Sequence, residues 1–419
     1  MRDRLIKIFI LFKEYVTAFI KWLILGLVIG LVSGVIGAGF SKAISFVTEL
    51  RFSNGWLILL LPLGGLVSVA VYTLCKVNGI GTNRVLESVR TEKKVPYLLA
   101  PAIFLGACIT HFFGGSAGRE GAALQLGGSV ASLVGRILNL NEKTRHTLTI
   151  CGMGAFFSAL FGTPVGACIF ALEVVSVGHF YTSAFFPAII SSVTSFYVAT
   201  YFKVAPERFN LPEIESVDVN TLWKVAVIAI LGALVSILFC RSVHLCEHYF
   251  EKIIPNRYLR IFLGGLLIVG LTVAVGNQDY NGGGIEVIER IFNTGEVRYE
   301  AFLLKILFTV ITISAGFKGG EIVPTFYIGA TLGASVGLIL GLSPALGAAV
   351  GMAAMFSSVT NCPLATVVLC VELFDGNGLI FCTVAAVTAY LLSGNSGLYT
   401  GQRLVYSKTD GEIINANAG

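Results

Sequence analysis

The sequence predicts an all-α, polytopic membrane protein built from two repeated halves, and three observations carry that prediction. Apolar side chains make up 55% of the 419 residues and charged ones only 13%, which excludes a soluble enzyme. Apolar runs recur from one end to the other, and the longer ones can cross about 30 Å of hydrocarbon. A segment near residue 152 returns in register 199 positions later. Two such halves with helices interrupted at matching places are the mark of transporters.

Taken in order, the chain opens with Arg2, Arg4 and Lys7 and has no A-x-A-like cleavage site. Residues 1–14 therefore read as a retained cytoplasmic end. Apolar runs follow at 15–40, 55–75, 97–113, 147–175, 184–202, 222–240, 261–275, 302–315 and 323–390. Several are short or broken by Gly and Pro, as suits tilted or partial helices buried in protein. A net charge of +5 fits anionic lipid and gives no reason to expect nucleic acid. The nine cysteines lie mostly inside apolar runs and read as packing residues, with no zinc spacing. His244 and His248 stand at i and i+4 beside Glu247 and Glu251. They read as an amphipathic helix end rather than a metal pair, and no cofactor is expected.

The repeat is explicit. Gly152-Met153-Gly154-Ala155-Phe156-Phe157-Ser158 through Pro164 to Glu173 returns as Gly351-Met352-Ala353-Ala354-Met355-Phe356-Ser357 through Pro363 to Glu372. Asn78-Gly79-Ile80-Gly81 is answered by Asn281-Gly282-Gly283-Gly284. The halves are expected at 15–205 and 220–400, joined by a linker at 206–219. A tail at 401–419 follows, with no soluble regulatory domain expected. Matching positions make Glu173 and Glu372 fold-maintaining residues rather than working ones.

The stretch Gly114-Gly115-Ser116-Ala117-Gly118-Arg119-Glu120-Gly121 feeds a helical pattern. Bare N–H groups, the positive end of a helix dipole and a carboxylate meet at one point. That is an anion site whose empty form is filled by the protein's own carboxylate. Its partner in the second half is Lys318-Gly319-Gly320-Glu321-Ile322-Val323-Pro324.

With Gly118-Arg119-Glu120-Gly121, the glycine turn at 79–83, Gly320-Glu321-Ile322-Val323-Pro324 and a late Gly397-Leu398-Tyr399 in that order, the sequence resembles the CLC anion channels and transporters. The resemblance implies inverted repeats and a homodimer with one pore per subunit. Four departures resemble the family's bacterial fluoride/proton antiporter branch. Gly79-Ile80-Gly81-Thr82-Asn83 replaces the G-S-G-I-P turn, Ala122 replaces the proline after G-R-E-G, Glu321-Ile322-Val323-Pro324 replaces G-x-F-x-P, and Val174 stands where an inner proton-transfer glutamate is usual. The function implied is fluoride export against entering protons.

On this resemblance Glu120 couples proton to anion, and Glu321 helps carry the proton unless it is a structural charge paired with Lys318 or Arg119. The anion site is expected from Gly81, Thr82, Asn83, Gly118, Arg119, Gly121, Ile322, Val323 and Tyr399. Thr82 and Asn83 are alternative polar groups, and Arg119 is expected to brace its helix more than touch the ion. One rival is a chloride/proton antiporter or channel of the same fold. The other is an intramembrane serine hydrolase, because Gly114-Gly115-Ser116-Ala117-Gly118 spells G-x-S-x-G near His111. That elbow requires a preceding strand, where an apolar helix is expected instead.

Overall fold

The computed structural model describes residues 2–91, 93–211 and 215–418. The chain runs α1 (Arg2–Ser53), a 3-10 turn (Gly55–Leu60), α2 (Leu61–Leu74), α3 (Thr82–Arg90), α4 (Leu99–Phe112) and α5 (Glu120–Ile137). Next come α6 (Glu142–Phe161), α7 (Pro164–Glu173), α8 (Phe185–Tyr201), α9 (Val219–Ile253), α10 (Arg257–Val275) and α11 (Ile285–Thr294). Then α12 (Ala301–Ala315), α13 (Ile322–Leu340), α14 (Pro344–Thr360), α15 (Pro363–Leu373) and α16 (Leu379–Leu392) complete the helices. Among the described residues, six helical stretches are long and apolar enough to cross a membrane.

Local chemistry explains where the long apolar runs break. The run 147–175 divides because Gly162 adopts φ 71 and Pro164 opens α7, a left-handed stop followed by a helix-starting proline. The run 323–390 divides at Gly341 (φ 71) and again at Asn361 (φ 57), just before Pro363. No break falls between residues 14 and 15, since α1 continues through 52 residues.

Apolar residues surround α6 and α14 on every side, so both are buried in protein. Glycine lets their neighbours come unusually near. A Cβ at Gly127 would lie 2.1 Å from the Gly152 carbonyl oxygen, and one at Gly329 would lie 2.4 Å from that of Gly351. Both helix pairs, α5 with α6 and α13 with α14, therefore pack backbone against backbone.

Glu173 and Glu372 exchange places. Glu173, at the end of α7, accepts the N–H groups of Leu364 and Ala365 at 3.2 and 2.8 Å. Glu372, at the end of α15, accepts those of Val165 and Gly166 at 3.0 and 2.7 Å. Each carboxylate caps the first turn of the other's helix, where the dipole favours negative charge.

The linker lies across the helix ends. Glu207 N–H donates to the Phe161 carbonyl at 2.9 Å, Phe209 N–H donates to that of Leu373 at 2.9 Å, and the Glu215 carboxylate accepts from Ser343 N–H at 2.7 Å. The part of the linker at 212–214 lies outside the described residues. The tail pairs back on the body through β1 (Ser176–Val177), β2 (Arg403–Tyr406) and β3 (Ile413–Asn417), with β1 parallel and β3 antiparallel to β2.

Candidate functional site

The two glycine loops meet. Gly118 and Gly320 form an antiparallel bridge, each N–H donating to the other's carbonyl at 2.6 Å. From it α5 runs toward the corner at Leu138–Glu142, and α13 runs toward Gly341–Ser343, where the linker lies. The contact depends on missing side chains. A Cβ at Gly320 would lie 2.1 Å from the Gly121 nitrogen, and one at Gly121 would lie 2.5 Å from the Gly320 Cα.

Glu120 is fully buried and curls back on its own helix start. Its Oε2 accepts the Arg119 backbone N–H at 3.0 Å and its Oε1 accepts Arg119 Nε at 3.1 Å. The rest of the Arg119 guanidinium reaches Glu207 at 2.5 Å, Ser41 Oγ at 3.2 Å and the Leu160 carbonyl at 3.4 Å. Arg119 thus braces the junction with every arm engaged. Glu207 was not singled out by sequence reasoning. Its one signal there was a carboxylate beside Pro206 and Arg208 in the linker. Burial raises the Glu207 carboxyl above the usual range, and the Arg119 guanidinium opposes that shift.

Glu321 sits across the bridge and pairs with neither cation considered for it. Arg119 is committed elsewhere, and the Lys318 ammonium lies over the Tyr72 ring, 4.6 Å from its centroid. Glu321 Oε2 is buried without a hydrogen-bond partner among the described residues. It lies near the first turn of α5, 3.1 Å from where a Cβ on Gly121 would stand.

The bridge separates two cavities. One, of about 570 Å³, is lined by Gly81, Thr82, Asn83, Gln125, Glu321 and Tyr399 among others. The second, of about 810 Å³, is lined by Gly118, Arg119, Glu120, Glu207 and Val323 among others. The expected residues therefore fall on both sides of one thin partition. Ile322 and Val323 form the first turn of α13, with Glu321 as its cap residue. Gly81 caps α3, and Thr82 is its first residue.

Of the two polar candidates, Asn83 uses one amide N–H and its oxygen in contacts with the 400–401 turn, and keeps its second N–H free among the described residues. Its Nδ2 donates to Thr400 Oγ1 at 2.9 Å and its Oδ1 accepts Gly401 N–H at 3.0 Å. Thr82 Oγ1 accepts Gln125 Nε2 at 3.1 Å, which leaves its proton free to donate. Gln125 and Thr400 are contacts that sequence reasoning did not single out. Tyr399 is 3% exposed and its hydroxyl has no partner among the described residues.

Two other motifs resolve differently. Ser116 Oγ shares a hydrogen bond with Thr309 Oγ1 at 3.0 Å, and the helix α4 precedes it in place of a strand. His111, close by in sequence, makes no side-chain hydrogen bond through Nε2 among the described residues. His244 Nε2 bonds the Gly397 carbonyl at 2.9 Å, which places it beside the loop leading to Tyr399.

This arrangement can hold an anion at two converging helix starts and displace it with a carboxylate from one of them. The family model described as Voltage gated chloride channel matches residues 63–394. A chloride/fluoride channel protein of Pseudomonas syringae pv. tomato is 33% identical, over 93% of this chain and 87% of its own. A crystal structure described as a CLC-type fluoride/proton antiporter superposes with TM-score 0.88 at 33% identity, covering 91% of this chain and 97% of that one. An H(+)/Cl(-) exchange transporter of Vibrio cholerae is 26% identical over 68% of this chain and 66% of its own. By sequence and by fold, this integral membrane protein belongs to the CLC family of anion channels and transporters.

Proposed function

We propose that the protein is a fluoride/proton antiporter of the bacterial plasma membrane, exporting fluoride while protons enter. The observation that carries the reading is the pair of carboxylates flanking the Gly118–Gly320 bridge, one in each cavity. Similarity to a chloride/fluoride channel protein and to a fluoride/proton antiporter supports fluoride as the ion.

The ionised Glu120 carboxylate fills the start of α5 and excludes the anion. Protonation removes its charge, releases Arg119 Nε and lets the side chain swing toward the larger cavity. The N–H groups of the first turns of α5 and α13, from Arg119, Gly121, Ile322 and Val323, then receive fluoride beside the bridge that Gly118 forms with Gly320. Thr82 and Tyr399 offer hydroxyls from the other cavity, at the turn that Gly81 and Asn83 shape. Glu321, unpaired and facing that cavity, takes the proton onward. Because a protonated carboxyl donates and fluoride accepts hydrogen bonds strongly, proton and anion can share this step.

Membrane orientation follows from the basic N-terminus. The far end of α1, from Ser41 to Phe52, lines the Glu120 cavity, so a cytoplasmic N-terminus would put that cavity outside and the Glu321 cavity inside. Fluoride enters cells as neutral HF and is trapped by ionisation, so an inward proton gradient can drive it out. The functional unit is a homodimer with one pore per subunit, each built of halves at 15–205 and 220–400.

Proteoliposome efflux read with a fluoride electrode beside a chloride electrode tests the reading. Fluoride should leave faster than chloride, and a proton gradient should drive it uphill. Comparable rates for the two ions would instead favour a chloride/proton antiporter or channel, the activity of the Vibrio relative.

A further inference from the structure

We propose that the turn at 281–285 and Arg51 form a second anion site, on the Glu120 side of the partition, for a small monovalent anion such as a halide. The proposal deepens the transport reading and rests on it for the identity of the ion in use. Its starting point is the likeness between Asn78-Gly79-Ile80-Gly81 before α3 and Asn281-Gly282-Gly283-Gly284 before α11. The first turn lines the cavity that holds Glu321, and the second lines the cavity that holds Glu120.

The second turn is held so that its donors stay free. The buried Lys305 ammonium donates to the carbonyls of Tyr280 and Gly282 at 3.2 and 2.7 Å. Asn281 Nδ2 donates to the Gly114 carbonyl at 2.8 Å, and Gly282 N–H donates to that of Gly115 at 3.1 Å. With those groups tied back, the N–H groups of Gly283, Gly284, Ile285 and Glu286 have no acceptor among the described residues. They stand at the positive end of a 10-residue helix.

Arg51 is the independent second feature. It is 2% exposed and lines the same cavity. Among the described residues its one hydrogen bond runs from Nη1 to the His111 carbonyl at 3.4 Å, and Nε is buried without a partner. Among the described residues no carboxylate forms an ion pair with it. The guanidinium lies against the turn, with Nη1 2.8 Å from where a Cβ on Gly282 would be.

Glu286 is the carboxylate that acts on Arg51 and it forms no ion pair with it, so the cost of burying the guanidinium is only partly offset and a closer anion would complete the compensation. Glu286 and Glu289 line the same cavity but are exposed, so water and salt screen their repulsion. Glu207 and Glu120 share the single positive charge of Arg119, which offsets part of their repulsion. Gly283 packs toward Val323, whose Cγ1 is 3.2 Å from a Cβ built on it. An anion at the turn would therefore wait one residue away from the start of α13 while Glu120 still occupies the start of α5.

Crystals soaked in sodium bromide test the site directly through anomalous scattering. A bromide peak within hydrogen-bond reach of Arg51 and the 283–285 N–H groups is expected. A blank map there, with or without a peak at the Gly118–Gly320 bridge, overturns the proposal. In proteoliposomes, Arg51→Gln and Gly283→Ala should each raise the half-saturating fluoride concentration on this side by roughly 3- to 10-fold and leave the maximal rate unchanged. Gly283 has no left-handed backbone, so its alanine variant carries the kinetic test if Arg51→Gln does not fold. Unchanged half-saturation in the folded variant overturns the proposal. If the wild-type protein shows a bromide peak here but no fluoride flux, the site stands and the transport reading falls.

Discussion

The starts of α5 and α13 touch at one bridge, yet they carry opposite charges at the same place. Arg119 caps α5 and Glu321 caps α13. On the α5 side the guanidinium ties Glu120, Glu207, Ser41 and Leu160 into one network. On the α13 side the carboxylate keeps an oxygen with no partner among the described residues. A carboxylate held by a network is a gate with a defined closed position. One left unpartnered between helix starts is unstable as an anion and ready for a proton. On the function proposed above, the difference divides the labour: α5 would decide when the site is empty, and α13 would receive what moves through it.

The most damaging test is to push the two starts apart. Gly320→Ala places a methyl group against the backbone of Gly121, where no side chain can yield. Loss of transport by more than about 100-fold is expected, with poor recovery of monodisperse protein, because the bridge cannot close around the extra carbon. Size-exclusion chromatography followed by flux measurement checks it, and a normal Gly320→Ala transporter would show that the bridge is dispensable.

Next comes Glu120→Gln, which keeps the shape of the gate and removes its proton. Uphill fluoride movement driven by a proton gradient should vanish, whether the anion path is left leaking or locked. Surviving proton-driven accumulation would move the coupling role away from α5.

Glu321→Gln should be milder, since the amide still donates to fluoride but cannot release a proton. A folded protein that binds fluoride and turns over roughly 10- to 100-fold more slowly is expected. Wild-type turnover with intact coupling would reduce Glu321 to a structural charge and erase the proposed division.

The smallest effect belongs to Glu207→Gln. Arg119 would keep Glu120 and lose one arm, so the gate should be held more tightly by the remaining carboxylate. A change of about 3-fold or less in fluoride flux, sensitive to ionic strength, is expected. An effect as large as that of Glu120→Gln would make Glu207 a proton carrier in its own right.

Much of this comparison was legible in the residues alone. Gly118 to Gly121 and Gly319 to Val323 stand out because charges inside apolar sequence are rare and glycine runs expose N–H groups. The repeat pointed at Glu173 and Glu372 because both occupy the same register. Their exchange across the fold was invisible, since a pattern shows that two residues match and not that each serves the other's helix. Glu207 and Gln125 were missed for a related reason. A linker carboxylate and a mid-helix glutamine look like solvated groups until the chain is folded over them. Asn83 shows another limit: its polarity suggested a ligand, and nothing in the sequence shows that Thr400 and Gly401 share its amide. Lengths were unreliable too, because composition sees one run at 323–390 where Gly341 and Asn361 cut it.

The exchanged caps of α7 and α15 have a consequence for how the molecule is made. Glu173 leaves the ribosome long before Ala365, its partner 192 positions further on, and the start of α7 likewise waits for Glu372. Throughout that interval α7 lacks its counter-group and cannot settle at depth with its start satisfied. The pairing of α7 with α15 therefore cannot close until the last helices have been made. Closure then comes as a single late event, and a chain truncated before α15 should be left with nothing to lock against.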